Sequence, residues 1–162
     1  MTILAAFATK SAEDTREVAG QLAALARRGD VVLLAGDLGS GKTTFAQGFG
    51  RGLGVAEPIV SPSFTLVRSY AGRVQLIHAD VYRLDHLQEI VDLGLPELIE
   101  DGVTLVEWGD VAASALPADF LEVRLEWGDG EDDRRLSLRV VGPGWASRQR
   151  AVLAAVERWA VA

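Results

Sequence analysis

The period of apolar positions changes several times along the chain, and each change predicts an element. Over residues 11–28, Val18, Leu22 and Leu25 recur at helical spacing; Ser11 can cap the start, and Gly29-Asp30 ends the run. The next six residues, VVLLAG (31–36), are apolar without alternation, which predicts a strand buried on both faces. GDLGSGKTTFAQGFGRGLG (36–54) then passes from a glycine-rich turn into a helix that stops near Gly52 to Gly54. Gly48 and Gly50 weaken its propensity, so a short helix is expected. FTLVRSY and RVQLIHAD, separated by Ala71-Gly72, predict a hairpin. A polar helical segment over 87–100 should break around LGLPE, and VTLVE (103–107) is a second strand of buried type. FLEVRLEW and RRLSLRVV flank the acidic turn GDGEDD and predict another hairpin, and 145–161 predicts a closing helix.

Helices alternate with parallel-type strands early, and hairpins are added later. This order predicts an α/β fold, a three-layer domain with a largely parallel central sheet and added antiparallel hairpin strands. A length of 162 residues suits one domain over 1–162, and 49% apolar residues can fill its core. Cysteine is absent, which excludes disulfides, thiolate metal sites and cysteine nucleophiles. The start, MTILAAFATK, lacks the basic flank and apolar length of a signal peptide, and no run approaches the roughly 20 apolar residues of a membrane span. A cytoplasmic protein with no membrane partner is expected. Sixteen basic against twenty-three acidic residues leave a net charge of −7, without the broad positive field of direct nucleic-acid binding. Any RNA in its biology would be held by another subunit.

GDLGSGKT (36–43) matches G-x-x-x-x-G-K-[ST], a phosphate-binding loop. Glycines let successive amides curl around a triphosphate, and the positive end of the following helix faces the anion. Asp37, Leu38, Gly39, Ser40, Gly41, Lys42, Thr43 and Thr44 are the nucleotide-binding candidates. Lys42 can reach the β- and γ-phosphates, and the Thr43 hydroxyl can ligate Mg²⁺. At this chain's residue frequencies the pattern arises by accident in roughly 0.2% of such sequences, treating positions as independent. Lysine usage adds weight, since fourteen of the sixteen basic residues are Arg and one of the two Lys falls here.

Such a loop needs a carboxylate at the end of a neighbouring buried strand. LIHAD ends in Asp80 and VTLVE in Glu107, and both are candidates for catalysis, Glu107 also for the metal. The tetrapeptide EWGD occurs twice, at 107–110 and 126–129. Glu107 closes an evenly apolar run. Glu126 lies in strict alternation, with Glu122 and Arg124 opposite Leu121, Val123, Leu125 and Trp127, and reads as solvent-facing on a surface strand. Ser63, in SPSF, stands where a switch hydroxyl could sense a γ-phosphate, although Ser-Pro is mainly a turn signal. His78 reads more readily as a packed residue than as a base, and Trp108 as core or as a cover for the metal site.

GDLGSGKTTF, SPSFTL, HADVYRL and EWGD, in this order and spacing, resemble the bacterial TsaE (YjeE) family from about Thr9 to Leu138. Members are small P-loop ATPases needed for N6-threonylcarbamoyladenosine formation in tRNA, acting with a TsaD–TsaB heterodimer in which TsaD carries the transferase site. The resemblance implies that residues 39–44 hold the phosphates of ATP, that Thr43 and Glu107 hold Mg²⁺, and that Asp80 and Trp108 belong to the functional surface. Ser63 replaces the family's usual Thr, which keeps the hydroxyl and loses the β-branch. No arginine finger is evident near the loop, so hydrolysis alone should be slow and stimulated by partners, and the acidic net charge fits contact with tRNA only through those partners. The alternatives are a P-loop small-molecule kinase, with Arg148 and Arg150 as lid residues, and a GTP switch, against which the absence of N-K-x-D counts.

Overall fold

A computed structural model of the chain describes residues 3–37, 39–61, 67–80, 94–107 and 118–160. Seven strands form one sheet: β1 (Ala5–Thr9), β2 (Val31–Gly36), β3 (Val67–Tyr70), β4 (Gln75–Asp80), β5 (Gly102–Glu107), β6 (Phe120–Trp127) and β7 (Arg134–Val141). Their order is β1-β7-β6-β2-β5-β4-β3. The four central strands β6, β2, β5 and β4 run parallel, while β3, β7 and β1 are added antiparallel. Every residue of β5 is buried and β2 is buried up to its last glycine, as their unbroken apolar runs require.

Helix α1 (Ala12–Ala23) starts where the Ser11 hydroxyl accepts the Asp14 amide at 3.0 Å, and it ends earlier than its pattern suggested. Helix α2 (Lys42–Gly52) runs eleven residues despite its glycines. Gly48 explains the choice: a Cβ there would lie 2.2 Å from the Arg16 carbonyl oxygen, so only glycine lets α2 press against α1. Between these helices and one sheet face lies the larger core, with Leu22, Phe45, Phe49, Leu34, Leu105 and Val123 fully buried. The other face packs Leu33, Ile77, Val106 and Phe120 against the short helix α3 (Leu95–Leu98) and the 3-10 turn Ile99–Asp101.

Two expectations need correction. The apolar pattern did not single out β1, because its alanines carry little of it; the strand forms as an edge paired with β7 over Ala5–Leu138 to Thr9–Arg134. The closing helix is divided into α4 (Pro143–Ala146), α5 (Gln149–Val156) and the 3-10 turn Glu157–Trp159. It breaks at Arg148, whose side chain turns inward over Trp145, 4.1 Å from the ring centroid, to meet Asp30 at 2.6 and 2.8 Å. Of the predicted segment 87–100, residues 87–93 lie outside the described residues.

Candidate functional site

The glycine-rich loop leaves the carboxyl end of β2 and enters α2 through Gly41, whose φ of +109° is open to glycine and strained for other residues. The contrast with α1 is chemical. There, Ser11 caps the start and Glu13 and Asp14 occupy the first turn. At α2 the cap residue has no side chain and the first turn holds no acid. The amide donors that a helix start cannot satisfy internally are left to an outside acceptor, beside the positive end of the helix. Within the loop the Ser40 amide donates to the Asp37 carbonyl at 3.0 Å. Its hydroxyl is buried with no hydrogen-bond partner among the described residues. A loop built this way fits a phosphate chain. Lys42, Thr43 and Thr44 form the first turn, each partly exposed, and Leu38 lies outside the described residues.

The sheet brings the two candidate carboxylates together. Asp80 and Glu107 are paired in register across β4 and β5, and Glu107 pairs in turn with Leu34 of β2, two residues before the loop. Equal register places both side chains on the same sheet face. Glu107 is buried. His78 Nε2 comes within 3.2 Å of Glu107 Oε2, yet neither atom meets hydrogen-bond geometry. A buried carboxylate oxygen without a donor is costly unless a cation or a further donor satisfies it. Glu107 therefore suits a metal ligand. No cluster of three or more His, Asp or Glu side chains that could hold a metal ion occurs among the described residues.

The two EWGD copies separate as their patterns implied at the glutamates, but the second strand needs correcting. Glu107 ends a buried central strand, and Glu126 is exposed. The strand that carries Glu126 is not at the surface: β6 lies between β2 and β7 and pairs in parallel with β2. Its alternation arises because Glu122, on the polar side, is buried and satisfied by Arg139 at 2.8 Å. Trp108 and Ser63 lie outside the described residues.

Sequence reasoning missed Arg134, which reaches the loop from β7. Its Nε donates to the Ser40 carbonyl at 2.9 Å, and its guanidinium lies 4.3 Å from the centroid of the Trp127 ring. The signal was present in the hairpin, because symmetric pairing about GDGEDD sets Trp127 opposite Arg134. Arg148, offered above as a kinase lid residue, is committed elsewhere. It is buried against Asp30, before the amino end of β2 and away from the loop.

The family model for "Threonylcarbamoyl adenosine biosynthesis protein TsaE" matches residues 9–136. The tRNA threonylcarbamoyladenosine biosynthesis protein TsaE of Bacillus subtilis is 42% identical over 136 residues, covering 83% of this chain and 84% of the relative. That of Streptomyces coelicolor is 40% identical over 146 residues, covering 86% and 99%. A crystal structure of Bacillus subtilis YdiB superposes with a TM-score of 0.74 at 35% identity, covering 94% of this chain and 93% of that one. With the family model spanning the loop, both carboxylates and most of the sheet, the chain belongs to the TsaE family, whose role is in the biosynthesis of threonylcarbamoyladenosine in tRNA.

Proposed function

We propose that the chain is a single-domain P-loop ATPase that binds Mg²⁺-ATP on the loop of residues 37–44 and hydrolyses it in the service of a TsaD–TsaB transferase complex in the cytoplasm. One observation carries this reading: a bare, glycine-capped helix start beside a buried carboxylate with an unsatisfied oxygen. The first is a site for phosphate, and the second is a site for the cation that accompanies it.

In this reading the amides of residues 39–44 and the Lys42 ammonium hold and neutralise the phosphate chain. The Thr43 hydroxyl and the Glu107 carboxylate would hold Mg²⁺, which would supply charge stabilisation to the phosphate oxygens. Asp80, next to Glu107 in register, accepts a hydrogen bond from the attacking water or from the cation's hydration shell. Ser63 and Trp108 serve as switch or partner-linked residues, by family resemblance. Arg134 is already bonded to the Ser40 carbonyl and to the β6–β7 turn, so it supports the loop rather than acting as a free finger. Slow turnover alone and stimulation by partners are part of this proposal. The net charge of −7 supports contact with tRNA only through the complex.

Steady-state ATP turnover, measured alone and with TsaD–TsaB and tRNA, tests the proposal. The rate should rise in the full mixture, and equal rates in all mixtures would overturn partner stimulation. Lys42→Ala and Glu107→Gln should each lower turnover at least about 100-fold, in the range lost when one charge-stabilising group is removed. Glu126→Gln should leave it unchanged. A Lys42→Ala protein that sustained repeated rounds of tRNA modification would overturn the ATPase role.

A further inference from the structure

Trp127 has a position that core packing does not explain. It shares a face of β6 with Leu121, Val123 and Leu125, which are fully buried, yet it is 50% exposed. The register explains how. Leu125 pairs with Gly36, the last residue of β2, so Trp127 extends two residues beyond the strand and stands alongside the loop. A Cβ at Gly39 would come within 3.2 Å of the ring's Cζ2 atom, so the indole edge lies against the loop backbone.

The ring is also held still. The Arg134 guanidinium stacks on it, and three carbonyls fix that guanidinium: Ser40 through Nε at 2.9 Å, with Glu131 and Asp133 through one terminal nitrogen at 2.8 and 2.9 Å. An aromatic plane of fixed orientation, half in water, is pre-organised to stack on another flat ring. The layout of the sheet indicates which ring. β5, with Glu107, lies on one side of β2, and β6, with Trp127, lies on the other. A triphosphate whose metal-bound end turns toward Glu107 leaves its nucleoside on the β6 side.

We infer that the exposed Trp127 ring, braced by Arg134 against the loop, is the platform on which the base of a bound nucleoside triphosphate stacks. This inference rests on the reading of the loop as a triphosphate site. The platform presents a face rather than hydrogen-bonding edges, so it contributes affinity for a base more than a choice between purines.

Calorimetric titration with Mg²⁺-ATP and with Mg²⁺-tripolyphosphate separates the two readings, since only ATP carries a base. Trp127→Leu should weaken ATP binding about 5- to 150-fold, the range for loss of one base–aromatic stack, and leave tripolyphosphate affinity unchanged. Trp127→Phe should retain most of the ATP affinity. Unchanged ATP binding by Trp127→Leu, or equal loss of both ligands, would overturn the platform; equal loss would mean the ring only braces the loop. A wild-type protein that bound neither ligand would overturn the triphosphate reading, and the platform with it. Should Trp127→Leu fail to fold, fluorescence still decides: ATP should quench tryptophan emission more than tripolyphosphate does, since only ATP carries a base, and Trp127→Phe should remove that difference. A difference that persists undiminished in Trp127→Phe would overturn the inference.

Discussion

The two ends of the six-residue strand β2 treat charge in opposite ways. At the amino end, Asp30 accepts the Arg27 amide at 2.6 Å and both terminal nitrogens of Arg148 at 2.6 and 2.8 Å. Arg148 also donates to the carbonyls of Leu25 and Gly144 and lies over Trp145. Nearby, Arg73 donates to the carbonyls of Ala23 and Ala26, closing the end of α1. At the carboxyl end, the Ser40 hydroxyl and one Glu107 oxygen are buried without a hydrogen bond, and α2 starts without a cap. At the amino end the charges are paired within the fold, and the buried atoms left without a partner there among the described residues, Thr104 Oγ1 and Trp145 Nε1, belong to neutral groups. At the carboxyl end a buried carboxylate, Glu107, has only His78 Nε2 near it among the described residues, at 3.2 Å. On the proposed reading of the loop, substitutions at the two ends should fail in different ways.

The largest effect on stability is expected at the closed end. Arg148→Ala leaves the partly buried Asp30 without its main partner and should cost up to about 3 kcal/mol in denaturant unfolding. Nucleotide affinity of the folded fraction should be unchanged, and loss of affinity without loss of stability would break the division. A smaller effect of opposite sign is expected at the open end. Ser40→Ala removes a buried hydroxyl that lacks a partner, so it should stabilise the ligand-free protein by about 1 kcal/mol. A destabilisation of that size would mean the hydroxyl is already satisfied in solution. The smallest effect lies between the helices of the main core face. Arg51, 2.7 Å from Glu13, holds that carboxyl below its usual range. The pair favours folding while Glu13 is ionised, and this preference fades as pH falls through the lowered titration of Glu13. Arg51→Ala should return the Glu13 titration upward, read by side-chain carboxyl NMR. Because Glu13 is exposed, the melting temperature at neutral pH should scarcely move.

Much of this was legible in the sequence because the signals were local. The evenly apolar runs 31–36 and 103–107 became the buried strands β2 and β5, and the loop between β2 and α2 stands where the glycine motif put it. Asp80 and Glu107 were chosen as strand ends, and the register places them side by side. What escaped was non-local. The alternation in β6 suggested a surface strand, because nothing near Glu122 reveals that Arg139 will cover its charge. A continuous apolar pattern after Trp145 suggested one helix, because the attraction of Arg148 for Asp30 acts across 118 residues. Arg134 was overlooked for a related reason. Its partner is a backbone carbonyl of the loop, which no side-chain pattern announces.

The strand order also bears on how the molecule is made. β2, which carries the loop, has β5 and β6 as its two neighbours, and both are translated later. Leu34 pairs with Val123, 89 residues further on. At synthesis rates of about 5–20 residues per second, that partner emerges roughly 4–18 s after Leu34 itself. For the first 73 of those 89 residues, until Glu107 is made, the apolar strand β2 has both flanks open, and after that one. The bridge between Phe7 and Ala160 joins residues 153 apart, so it closes later still.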